Sequence, residues 1–175
     1  MQQQPASYFI FDLPESVELN KAIQQQFYDT ADAEETVRSH FFAGRYENIY
    51  LTLEQVPAMQ TVIEQATQFA NDILRGNETL QVGFWFNAMA PGDITQLHRH
   101  DEYDECLSGV YYIEVPEDSG ELVLHEASGE IRVTPVPGRF VFFAPDVPHE
   151  VTENKSTSSR LSVGMNFGVK QSWKG

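Results

Sequence analysis

Apolar residues in the first half of the chain recur at helical spacing. From Ser16 to Tyr28, Leu19, Ile23 and Phe27 fall every four positions, and Pro14 stands just ahead of them, where a proline suits a helix entrance. From Pro57 to Arg75, Met59, Val62, Ile63, Ala66, Phe69, Ala70, Ile73 and Leu74 keep a three-and-four rhythm, with Gly76 past the end as a stop signal. The spacing predicts two helices, each with one apolar stripe, the second packed on the outside of a sheet. Ala31 to Arg38 is expected to add a shorter third one. After Gly76 the rhythm changes to short runs rich in Val, Ile, Phe, Tyr and Thr, broken by Pro, Gly, Asp and Asn: TLQVGFWFNAMA, ITQLH, LSGVYYIEV, GELVLHE, EIRVTPV, RFVFFA and RLSVGMNF. These read as antiparallel strands joined by turns. SYFIFD and NIYLTL, nearer the N-terminus, can add strands at an edge. So many short strands exceed what one flat sheet holds, and a double-sheet jelly roll is expected, mainly β, with the N-terminal helices packed on one sheet.

With 175 residues, 41% of them hydrophobic, the chain can bury one sizeable core and falls short of the usual two-domain length. The expected division is a single domain over 1–175, with a helical front and edge strands over 1–78 and a barrel core with the site over 79–170. The formal charge of −15 repels a phosphate backbone or an anionic membrane surface, so neither nucleic acid nor membrane is an expected partner. Solubility alone accounts for such a charge, yet a cationic substrate remains compatible with it. Cys106 is the only cysteine, which excludes an intramolecular disulfide and a dithiol redox motif. The start MQQQPASYFIFD lacks the basic and long apolar regions of a signal peptide, and no run approaches a membrane span, so the expected compartment is the cytoplasm. SYFIFD or NIYLTL, if left at an edge, could serve a homodimer.

Candidate chemistry sits on three histidines. Gly92 is followed by five residues and then His98-Arg99-His100, and alternate strand residues share a face, so both imidazoles can point into one cavity. His149 follows an apolar strand and two prolines that stiffen the turn presenting it. Three ligands on one side of a metal, with the opposite positions open, suit non-haem iron(II). His40 and His125 lack such company and read as surface or hydrogen-bonded core histidines.

The stretch from Leu80 to Gly168 resembles the prolyl-hydroxylase-like 2-oxoglutarate and iron(II)-dependent oxygenases. FWFNAMAPGD, HRH, SGVYYIEVPEDSGEL, PGRFVFFAPDVPHEV and RLSVGMNFG carry the resemblance. In that family an arginine follows the last histidine by about ten residues, and here Arg160 stands eleven residues after His149. The resemblance implies a double-stranded β-helix and a cosubstrate, 2-oxoglutarate, whose distal carboxylate pairs with Arg160. The planar fork of arginine suits that task, and Ser162, on the same strand face, can donate a further hydrogen bond. By resemblance Tyr112 points its hydroxyl at the same group; Asn87 faces the interior by its place in its strand and is expected to touch cosubstrate or substrate. The alternative for Arg160 is a surface salt bridge. The implied reaction consumes dioxygen and 2-oxoglutarate, releases succinate and carbon dioxide, and hydroxylates an amino-acid side chain, a peptide or a small metabolite.

Two matters stay open. The family's usual triad is His-x-Asp or His-x-Glu plus a distal His, whereas His98-x-His100 gives three imidazoles; counting back from SGVYY instead pairs His100 with Glu102. The forward count from Gly92 is preferred, with Glu102 and Asp101 as reserve ligands. The same spacing, with four residues separating His100 from Glu105 and Gly138 ahead of His149, also resembles the cupins, metal-dependent dioxygenases, isomerases or ligand-binding barrels without 2-oxoglutarate. That match leaves Arg160 without a task.

Overall fold

The computed structural model describes residues 7–100 and 104–170. In chain order the elements are β1 (Tyr8–Asp12), α1 (Ser16–Thr30), β2 (Val37–Phe42), β3 (Arg45–Tyr50), α2 (Met59–Leu74), β4 (Leu80–Met89), β5 (Thr95–His98), β6 (Glu105–Glu114), β7 (Leu122–Glu126), β8 (Gly129–Val133), β9 (Arg139–Phe143), β10 (His149–Val151) and β11 (Arg160–Val169). They form a seven-stranded sheet ordered β1-β9-β6-β11-β4-β3-β2 and a four-stranded sheet ordered β5-β10-β7-β8, antiparallel throughout. This is the expected double-stranded β-helix.

Period-two alternation decides which side chain meets which layer. On β11, Leu161, Val163, Met165 and Phe167 are buried in the cluster that includes Ile23 and Phe27 of α1 and Met59, Val62, Ala66 and Ala70 of α2. Tyr111, Phe140, Phe142 and Phe86 join them, and Tyr111 donates its hydroxyl to Asn20 Oδ1 of α1 at 2.7 Å. The opposite face of the same strands carries Tyr112, Val141 and Phe143, which pack on Leu122, Leu124 and Val133 of the smaller sheet. One side of the large sheet is therefore sealed by helices, and the other encloses the cavity.

Both main helices form where their stripes place them. The residue that takes the left-handed conformation at the end of α2 is Arg75 (φ 51°) rather than Gly76; its N–H donates to Asn71 O at 2.9 Å. No helix forms over Ala31–Arg38. Isolated turns (Ala33 N to Thr30 O, Thr36 N to Ala33 O) lead into β2, and Arg38 Nη2 donates to Ala31 O at 2.6 Å, satisfying a carbonyl at the end of α1. β2 and β3 are joined through Ala43 (φ 47°) and Gly44 (φ 84°), two positive-φ residues whose twist matches a tight hairpin. This hairpin also corrects the reading of NIYLTL: β3 lies inside the sheet between β4 and β2, so the edges are β1 and β2. Among the described residues no helix is long and apolar enough to cross a membrane.

Candidate metal and anion site

β5 and β10 are neighbours in the small sheet, and their register sets His149 directly opposite His98. The two ring centroids are 4.2 Å apart. His100 lies just beyond β5, pinned by its N–H donating to Pro145 O at 2.7 Å, with its ring 5.0 Å from His98 and 5.1 Å from His149. One ligand nitrogen from each of the three lies within 4.8 Å of the others. Backbone carbonyls select the tautomer. A carbonyl only accepts, so Nδ1 of His98 donates to Gln96 O (2.6 Å) and Nδ1 of His149 donates to Val147 O (2.9 Å), leaving both Nε2 lone pairs for a ligand. Burial pushes His149 down to about 3, helped by His98 and His100 and opposed by the Val147 carbonyl. Burial, then His98, then His40, push His100 down to about 4. These two imidazoles are neutral at physiological pH, the form that binds a metal.

A second group faces the same cavity from the large sheet. Arg160, at the start of β11, is 1% exposed. Its Nη1 reaches only Ser119 O at 3.5 Å and Met89 Sδ at 3.8 Å, its Nε has no partner, and its Cζ sits 5.4 Å from the Tyr112 ring centroid. Tyr112 Oη and Ser119 Oγ are buried without partners. Burial raises the Tyr112 phenol, with Arg160 opposing, and lowers Arg160, which stays charged as arginines do. A buried guanidinium without a carboxylate beside it costs several kcal/mol unless an anion comes with the ligand. The salt-bridge alternative for Arg160 does not hold: no described ion pair includes it.

Ser162 and Asn87 pair across β11 and β4, are 5% and 9% exposed, and line the cavity with Arg160, Tyr112 and the histidines. Asn87 is already engaged: its Oδ1 accepts from Arg45 Nη1 (3.0 Å) and its Nδ2 donates to Thr95 Oγ1 (2.8 Å). The sequence reading missed Arg45, which also donates to Ile94 O and Ala88 O, because the hairpin that carries it was not foreseen. It also missed Trp85, two residues before Asn87 and thus on the same face, whose ring is 5.4 Å from His100 and lies over Gly164, where any side chain would collide with the indole. Strand parity could have found Trp85. His40 borders the recess outside the cluster, bonded through Nδ1 to Ser39 Oγ and Asn48 Nδ2, while His125 is remote, between Glu130 and Glu150. Asp101 and Glu102 lie outside the described residues. Glu105 borders the recess but is not part of the histidine cluster.

Residues 84–168, which contain the three histidines and Arg160, match the family model of the 2OG-Fe(II) oxygenase superfamily. No curated protein matches the chain. Among solved structures, a Pseudomonas putida prolyl-4-hydroxylase superposes with TM-score 0.75 at 22% identity, covering 94% of both chains. A Trichoplax adhaerens prolyl hydroxylase, solved with a hypoxia-inducible-factor oxygen-degradation-domain peptide, gives 0.71 at 13%, covering 94% of this chain and 84% of that one. SnoK, a non-haem α-ketoglutarate-dependent carbocyclase of nogalamycin biosynthesis, gives 0.75 at 13%, covering 92% and 79%. At such identities these neighbours share the fold. The family match covers the segment that holds the site, and the neighbours share its fold.

Proposed function

We propose that the protein is an iron(II) and 2-oxoglutarate-dependent hydroxylase in which His98, His100 and His149 hold the metal and Arg160, with Tyr112 and Ser162, receives the distal carboxylate of the cosubstrate. The observation that carries this reading is Arg160: fully buried, lining the histidine cavity, and without a carboxylate partner among the described residues. The donor set fits both groups. Three imidazoles, two with tautomers fixed by backbone carbonyls, suit a divalent transition metal and leave its other positions open. The unpartnered Arg160 Nε and Tyr112 Oη suit an anion.

When bound, iron(II) with 2-oxoglutarate and dioxygen supplies an oxidant for an unactivated C–H bond, leaving succinate and carbon dioxide. The chain itself positions and shields. Asn87, locked between Arg45 and Thr95, fixes the cavity wall, and Leu122, Val110, Phe143 and Val151 keep it apolar around the reacting groups. No side chain is needed as general acid or base. A cupin-type reaction would have no use for a buried Arg160, which favours the oxygenase reading over that alternative. The substrate, on this reading, is an amino-acid side chain or a small metabolite.

Anaerobic titration of the purified protein with iron(II) and then 2-oxoglutarate tests the proposal. A weak visible charge-transfer band and a raised unfolding temperature are expected, with succinate formed on admitting air and a panel of amino acids. No band together with an unchanged unfolding temperature would overturn it.

A further inference from the structure

Beyond the histidine cluster the cavity opens into a recess of about 300 Å³, bordered by Glu47, Tyr50, Trp85, His100, Glu105 and Asn166. It runs on into a groove of about 600 Å³ that shares Tyr50, Trp85, Glu105 and Asn166 and continues past Gly83 and Gly168. At Gly83 a side chain would meet nothing within 4 Å, so the floor here is bare strand. Both spaces are in the size range of ligand sites, and they join at the Trp85 indole.

The charges on this path are placed, not merely numerous. Glu47 is 5% exposed and holds the Gln96 N–H through Oε1 at 2.9 Å. Glu105 has its Oε2 buried with no donor, and Asp104 follows along the groove. Arg99 borders the recess and is itself engaged in an interaction; no lysine or arginine borders the groove among the described residues. Solubility explains exposed acids and says nothing about a carboxylate oxygen turned inward, which is costly unless a donor arrives with a ligand. Trp85, which lines the same recess and groove, offers the best aromatic surface for a cation.

We infer that the substrate carries a cationic group, an amine or guanidinium on a flexible chain, which pairs with Glu105 against the Trp85 face while the carbon to be oxidised lies at the histidine cluster. The inference rests on the hydroxylase reading for what happens at the cluster, and its test does not. Two sources share this chemistry, a free basic amino acid or polyamine and a basic residue within a polypeptide.

A Trp173→Phe background leaves Trp85 as the only tryptophan and makes its emission the readout, with no turnover involved. The probes are L-lysine, L-arginine and spermidine on one arm, Gly-Gly-Lys-Gly-Gly and Gly-Gly-Arg-Gly-Gly, acetylated at the N-terminus and amidated at the C-terminus, on the other, and Gly-Gly-Gln-Gly-Gly capped in the same way as the neutral control. At least one cationic probe should shift the emission saturably, about tenfold or more tightly than the neutral peptide, and weaken as salt is added. Glu105→Gln should lose about tenfold or more, and Glu105→Asp should keep the preference for cations, which guards against a folding defect in the first variant. The arm that binds more tightly names the source. Equal binding of the neutral peptide, no saturable shift with any cation, or unchanged affinity in a folded Glu105→Gln overturns the inference. A protein that titrates with cations but not with 2-oxoglutarate would sink the hydroxylase reading alone.

Discussion

Methionine at position 160 would replace a buried guanidinium by an unbranched apolar side chain of similar length, and its two effects should have opposite signs. Arg160 is 1% exposed, has no carboxylate partner among the described residues, and keeps only two long contacts, to Ser119 O at 3.5 Å and Met89 Sδ at 3.8 Å. Replacing a buried charge by a packed apolar group gains about 1–4 kcal/mol where the ion is poorly paired. Losing the Ser119 contact gives back about 0.5–1.5 kcal/mol. Urea denaturation of the ligand-free variant should therefore show it at least as stable as the parent, by about 0–3 kcal/mol. Binding should move the other way. Two charge-assisted hydrogen bonds to a carboxylate, at about 1.5–3 kcal/mol each, amount to roughly 3–6 kcal/mol, or about a hundredfold to ten-thousandfold in affinity. Calorimetric titration of 2-oxoglutarate into manganese-loaded protein without oxygen reads this directly. A variant that is destabilised when ligand-free and binds 2-oxoglutarate as the parent does would refute the assignment, making Arg160 a structural residue.

The ligand register separates in a pair of variants: His100→Ala should abolish tight manganese binding, measured calorimetrically, while Glu102→Ala leaves it within a few-fold. The reverse result would move the middle ligand to Glu102. The edge strand β1 is tied to β9 by Arg139, whose Nε and Nη2 donate to Asp12 Oδ1 and Oδ2 at 2.8 and 3.1 Å. The hydrogen bond from Arg139 holds the Asp12 carboxyl below its usual value of 3.8, with burial opposing and the Arg139 charge adding. Because the folded value is the lower one, the stabilisation is full above the unfolded value and is lost as pH falls through the folded one. Asp12 is 58% exposed, so Asp12→Asn should cost no more than about 1 kcal/mol at pH 7. The gap between the two proteins in urea should close below pH 3.8, and a constant gap would refute the pairing.

The barrel was legible because its signal is local. Strands β4, β6, β9 and β11 are runs rich in Val, Phe, Tyr and other strand formers, and the turn residues between them fix where the runs end. The candidate site was legible for a related reason: His98 and His100 share parity, and Arg160 opens a strand whose alternate residues face the same way. What escaped was set by tertiary partners. Val37–Phe42 pairs as β2 because the Ala43–Gly44 turn folds it against β3, and nothing in Ala31–Arg38 itself excludes a helix. β10 is three residues long, too short to show a period, and exists because β5 and β7 flank it. Arg45 depends on that unforeseen hairpin, so its hold on Asn87 could not be read from spacing. Glu105 gained its meaning only once Trp85 and the groove were beside it.

β11 interleaves two kinds of residue. Leu161, Val163, Met165 and Phe167 lock the helices, and between them Arg160, Ser162, Gly164 and Asn166 line the cavity, its recess and groove. Neighbouring codons in this strand therefore answer to different pressures, one to the survival of the fold and the next to the choice of ligand. New specificities can be explored at every second position, provided the register never slips by one residue, since a single insertion would exchange the two sets and forfeit both.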